Sequence, residues 1–256
     1  MSKRQKFLAI SFILATTLGL ICRLDSVLVL IGGLFLSLVA VFLTYLALRK
    51  ELNGLEYLTL LIPPFLLTLG YILIFYFFPN FNVFFTLVIL ASYFISFYSL
   101  ILTCNIFSAA AVKNLLLLKP AQTTFLFVMI TVFFLLNTHI SKLGIFFVFQ
   151  ILFTFLLMWF LSFLVFWTHT LNKTAQFNLK QAKQWALLVA VTTFLATWWL
   201  AFLKFEPFFR SLVLSSSFNA SLGIFIAKQT RQINKKAIFE YMLIPLLALG
   251  FSIVVG

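Results

Sequence analysis

VLVLIGGLFLSLVAVFLTYLALRK, running from Val27 to Lys50, decides the fold. From Val27 to Leu48 no side chain carries a charge, and the stretch is as long as the roughly 20 residues a helix needs to cross bilayer hydrocarbon. It stops on Arg49 and Lys50. A basic pair at the end of an apolar run marks the side from which loops are not translocated.

Outward from this stretch the same pattern repeats. Apolar runs cover Phe7 to Cys22, Val27 to Leu48, Tyr57 to Phe78, Val83 to Cys104 and Thr123 to Leu136; they continue with Gly144 to Leu171, Trp185 to Leu203, Phe208 to Ala227 and Phe239 to Val255. Cations collect in every second gap: Lys3, Arg4 and Lys6; Arg49 and Lys50; Lys113 and Lys119; Lys173, Lys180 and Lys183; Lys228, Arg231, Lys235 and Lys236. The remaining gaps hold only Arg23, Lys142, Lys204 and Arg210. The reading is an all-α polytopic transmembrane bundle of about nine spans, or eight if a terminal run fails. It forms a single integral membrane domain over 1–256 with the N-terminus cytoplasmic and the C-terminus outside. Reporter fusions after Leu48 and Phe78 should report opposite sides of the membrane, and agreement between them refutes this topology.

Composition excludes the soluble alternatives. Charged residues make up 9% of the chain and hydrophobic ones 64%, whereas a soluble domain carries roughly 25% charged residues. The net charge of +13 would suggest nucleic acid in a soluble protein. Here it sets topology, so no nucleic acid is expected. No small-x-small cleavage pattern follows the first run, which is read as an uncleaved span. Cys22 and Cys104 fall at opposite ends of their spans, a bilayer apart, so free thiols are expected.

Local signals agree with these boundaries. Asp25-Ser26 can cap the second span, Asn53 with Glu56 forms a capping-box pattern before the third, and Glu206-Pro207 opens the eighth. Pro79 and Asn82 punctuate the turn between the third and fourth. Pro63-Pro64 must free carbonyls one turn earlier in the third. Segment 105–122 either lies at the cytoplasmic interface as a short helix or extends the fourth span.

The ionisable groups remove most mechanisms. Asp25, Glu51, Glu56, Glu206 and Glu240 all lie in loops or near helix ends, so a carboxylate relay in the membrane interior is not expected. His139 and His169 fall near opposite faces and cannot share a haem. No cofactor or metal is called for, and no catalytic residue.

The densest polarity within a span is neutral: Ser215, Ser216, Ser217, Asn219 and Ser221, followed by Gly223. Helical spacing aligns Ser215, Asn219 and Gly223 on one line and Ser217 with Ser221 on another. Such a face either packs closely against a neighbouring helix or lines a route for a polar or amphipathic ligand. A serine nucleophile would need a base at the same depth, and none is visible. Ala186, Ala190, Thr193 and Thr197 offer the seventh span as the packing partner. Gly33, Ser37, Ala40 and Thr44 form a similar stripe in the second. The stretch 228–236 places Lys228, Arg231 and Lys235 on one helical face, and with Lys236 they are candidate contacts for anionic headgroups.

The run Thr103-Cys104-Asn105-Ile106-Phe107-Ser108-Ala109-Ala110, with Lys113, Leu115 to Leu118 and Lys119, resembles a family of uncharacterised bacterial multi-pass membrane proteins. Leu55 to Phe81, with its paired prolines and Pro-Asn turn, fits the same pattern, and the resemblance covers roughly Leu55 to Leu136. Cys104 stands where that family carries a more polar residue. The resemblance implies a bacterial inner-membrane setting and assigns no active residue.

The expected function is a non-enzymatic accessory or structural membrane component. The alternative is a permease or flippase for a neutral, zwitterionic or lipid-like substrate, with Ser216 and Asn219 on the route. Expected partners are membrane lipids, with anionic headgroups on the cytoplasmic side, and a membrane protein.

Overall fold

The computed structural model describes residues 3–49, 56–79, 81–110, 116–144, 146–171, 178–203, 205–229 and 234–255. Among them are nine helices: α1 (Lys3–Ile21), α2 (Ser26–Leu48), α3 (Glu56–Phe77), α4 (Val83–Ala110), α5 (Leu118–Lys142), α6 (Phe147–Thr170), α7 (Leu179–Leu200), α8 (Pro207–Gln229) and α9 (Lys235–Val255). Eight are long and apolar enough to cross a membrane. The sequence leaves the count open at the ends, yet α1 and α9 both qualify, and the helix that falls short is α7. Its first turns carry Lys180, Gln181, Lys183 and Gln184, which dilute an otherwise apolar helix.

The chain divides into two compact units. One holds Met1–Val132 with Leu171–Lys173, the other Phe133–Thr170 with Thr174–Gly256, so α5 gives its first part to one and its second part to the other.

In the first unit α2 packs against α3, and α1 packs against α4 and α2. The small stripe of α2 does what its spacing implies: Gly33, Ser37, Ala40 and Thr44 are all buried. Ser37 donates to the Gly33 carbonyl (3.0 Å) and Thr44 to that of Ala40 (2.7 Å), so neither hydroxyl enters the bilayer unsatisfied. Ile72 of α3 fills the space left by the missing Gly33 side chain. Between α3 and α4, the Thr68 and Tyr93 hydroxyls pair at 3.0 Å and those of Tyr71 and Ser92 at 2.7 Å.

Pro63 and Pro64 lie inside α3, in line with the sequence. Because Pro64 has no N–H, the Leu60 carbonyl loses its helical donor. The buried Cys104 thiol of α4 donates to that oxygen across 3.7 Å.

Segment 105–122 is not a separate interfacial helix in its described parts. Residues 105–110 continue α4 and 118–122 begin α5; 111–115 lie outside the described residues.

Caps follow the sequence unevenly. Asp25 sits at the N-cap of α2 but its side chain makes no capping bond. Asn82, which the sequence marks only as a turn residue, does cap α4, its Oδ1 accepting from the Phe85 N–H at 2.9 Å. Pro207 is the first residue of α8, as the Glu206-Pro207 pair implies. Asn53 lies outside the described residues. One cap is not pointed to by the apolar runs: Asn178 and Gln181 form a reciprocal capping box at the start of α7, with bonds of 2.9 and 3.1 Å. It starts α7 two turns ahead of Trp185.

Candidate functional site

In the second unit α7 packs most extensively on α6 and also on α8, and α9 packs on α8. Ala186, Ala190, Thr193 and Thr197 are buried, so the small face of α7 is a packing face. The helix it belongs to packs on α6 more than on the expected α8.

A serine hydroxyl inside a membrane helix needs an acceptor that lipid does not supply. In α8 three serines find one a turn back. Ser215 donates to the Leu212 carbonyl at 3.0 Å, while Ser216 and Ser217 both donate to that of Val213 at 2.8 Å. Ser215 and Ser216 are buried; Ser217, Asn219 and Ser221 are half-buried. The Thr192 hydroxyl of α7 donates to Ser221 Oγ at 3.3 Å.

Close by, Gly223 is buried against the Tyr241 ring of α9, leaving no room for a side chain. Beyond that contact Pro245 interrupts the hydrogen bonding of α9, and the three helices leave a groove of about 450 Å³ between them. That volume falls within the usual span of ligand sites, about 300–1,000 Å³. Ser217, Ala220, Ser221 and Phe225 form its floor, Thr192 and Trp199 one wall, and Met242, Pro245, Leu246 and Leu249 the other. Thr192, Trp199, Met242 and Leu246 are exposed, so the groove opens sideways, toward lipid. Apart from the hydroxyls of Thr192, Ser217 and Ser221, this surface is apolar.

The expected polar face is thus divided. Ser215 and Gly223 are buried in packing, Ser217 and Ser221 reach the groove, and Ser216 and Asn219 do not line it.

The structure also assembles a polar cluster that no motif announces. Asn137 of α5 donates through Nδ2 to Ser211 Oγ of α8 at 2.9 Å and accepts at Oδ1 from the Thr154 hydroxyl of α6 at 3.1 Å. All three residues are buried. Phe133 and Phe218, at a ring separation of 4.9 Å, pack against one another between the same α5 and α8. Arg210, next to Ser211 and inside the first turn of α8, has its Nε and Nη2 buried without a partner among the described residues.

The chain matches no protein-family model, no curated protein and no solved structure. Its chemistry must be read from its own residues. His139 lies buried in the last turn of α5, and His169 lies half-buried in the last turn of α6, so the length of α6, about 35 Å, separates them. Among the described residues no three His, Cys, Asp or Glu side chains group at metal-binding distance. Cys22 and Cys104 are free thiols.

At the basic end of this unit, Lys228 closes α8 with its Nζ 5.6 Å from the centre of the Trp185 ring. Lys235 and Lys236 open α9, both exposed, and Lys236 approaches the Glu240 carboxylate at 3.9 Å. Arg231 lies outside the described residues. The single helical face expected for Lys228, Arg231 and Lys235 is not formed. Lys228 belongs to α8 and Lys235 to α9, because the chain reverses between them to pack the two helices together.

Proposed function

We propose that this chain is a non-enzymatic accessory or structural component of a bacterial inner membrane. The observation that carries the reading is the inward turn of the α8 serines. Ser215, Ser216 and Ser217 give their protons to their own helix, which suits a helix built for close packing rather than one presenting donors to a solute. The sparse burial of α9 supports a component that packs against lipid or a second membrane protein. In that helix Phe239, Leu247, Phe251 and Val254 are all exposed. The alternating cations give it the cytoplasmic N-terminus and the attraction to anionic headgroups already described.

A second reading, a permease or flippase for a lipid-like substrate, is favoured by the groove at Ser217 and Ser221. Thiol labelling separates the two. In a chain carrying Cys22→Ser and Cys104→Ser, single cysteines at 215, 216 and 219 should resist membrane-impermeant maleimides from both sides. Cysteines at 217 and 221 should react only with membrane-permeant ones. Labelling of 217 and 221 by impermeant reagent from both aqueous sides would overturn the accessory reading and select transport.

A further inference from the structure

The groove and the basic end of α8 are one continuous surface. Phe225 lies in the groove floor, the Trp185 ring packs against Phe225 at a centroid distance of 5.3 Å, and Lys228 sits over the same indole. From Ser217 to Lys228 the path follows α8 for three turns, from mid-helix to its basic end.

The register of α8 and α9 adds charge at the same level. Gly223 meets Tyr241; Lys228 is five residues beyond the first and Lys236 five before the second, so antiparallel packing brings both lysines to one height. Glu240 offsets part of the Lys236 charge, while Lys228 is exposed and lies over the face of an aromatic ring. An apolar trough ending in a cation over an indole matches a molecule with a long hydrocarbon tail and an anionic head. Cation and headgroup attract, and the indole prefers the boundary between hydrocarbon and water.

We infer that the α7–α8–α9 groove binds one anionic phospholipid from the leaflet on the basic side. One acyl chain runs along Phe225, Ser221 and Ser217, and the phosphate lies at Lys228 with Lys236 beside it. This goes beyond the diffuse attraction of a basic loop. It assigns a defined tail site, and it depends on neither functional reading above.

The test uses the full chain purified in mild detergent and native mass spectrometry with phosphatidylglycerol or phosphatidylcholine of identical acyl chains. The expected result is one phosphatidylglycerol retained in preference to phosphatidylcholine. Lys228→Gln should weaken phosphatidylglycerol retention about fivefold and leave phosphatidylcholine unchanged, while Lys228→Arg keeps the preference. Ser221→Phe and Leu249→Phe, which fill the groove from its floor and its α9 wall, should abolish specific retention of both lipids. Equal retention of the two lipids by the unmodified chain overturns the inference. So does undiminished phosphatidylglycerol retention in a filled variant that melts like the parent. If both filled variants fail to fold, the parent and Lys228→Gln decide: a preference that Lys228→Gln leaves intact overturns it.

Discussion

Gly33→Ala should destabilise the chain by about 1–3 kcal/mol, the range for forcing a methyl into a packed core. The new Cβ would collide with Cγ2 of Ile72, with Cδ1 close behind. Cγ2 is borne on the β-carbon of a buried residue, and χ1 of isoleucine is stiff in a helix, so the obstruction cannot swing aside. The helices α2 and α3 must separate or tilt. Two controls make the result specific. Gly250→Ala faces open space and should lose nothing, gaining up to about 1 kcal/mol from helix propensity. Ile72→Ala removes the obstructing methyl, so the double variant should be more stable than the sum of the two single losses, by about 1 kcal/mol or more. Unfolding in detergent, followed by circular dichroism against denaturant, reads all four proteins. A Gly33→Ala chain that unfolds like Gly250→Ala would show that α2 and α3 are not in contact at this point.

Asn137→Leu should cost about 1–3 kcal/mol in the same assay. The substitution removes both bonds of the amide, leaving Ser211 and Thr154 buried without their partner. Single hydrogen bonds between membrane helices average only about 0.6 kcal/mol, so Ser211→Ala and Thr154→Val should each cost about that much. Asn137→Leu should exceed either, because it unties α5, α6 and α8 at once. If Asn137→Leu proves no less stable than Ser211→Ala, the amide does not join the three helices.

What the sequence made legible was local. A run such as Val27 to Leu48 announces its helix because length and apolarity lie within the segment itself. The buried stripes at Gly33 to Thr44 and Ala186 to Thr197 follow from spacing along a single helix. The Asn178-Gln181 cap is equally local and visible as Asn-x-x-Gln, but hydropathy alone starts the helix at Trp185, two turns late. The Asn137 cluster has no such signal, since its partners lie 17 and 74 residues away and each is an ordinary polar residue in its own helix. The groove was illegible for a related reason. Ser217 and Ser221 acquire a cavity only because α7 and α9 flank α8 and because Gly223 and Pro245 set where α9 touches and where its bonding breaks. Polarity marked the right helix, and only three-dimensional packing could say which serines face inward.

The inward-bonded hydroxyls of α8 also bear on how the chain is made. A hydropathy scale charges each serine as if its hydroxyl entered the bilayer bare, yet Ser215, Ser216 and Ser217 take their acceptors with them as soon as the helix forms. For these three hydroxyls, the helix with the densest run of serines therefore needs no neighbour to make them tolerable in lipid. Ser211 and Ser221 differ: their partners described above, Asn137 of α5 and Thr192 of α7, precede α8 in the chain, so none of these five hydroxyls has that partner on α9, whose Tyr241 closes over Gly223.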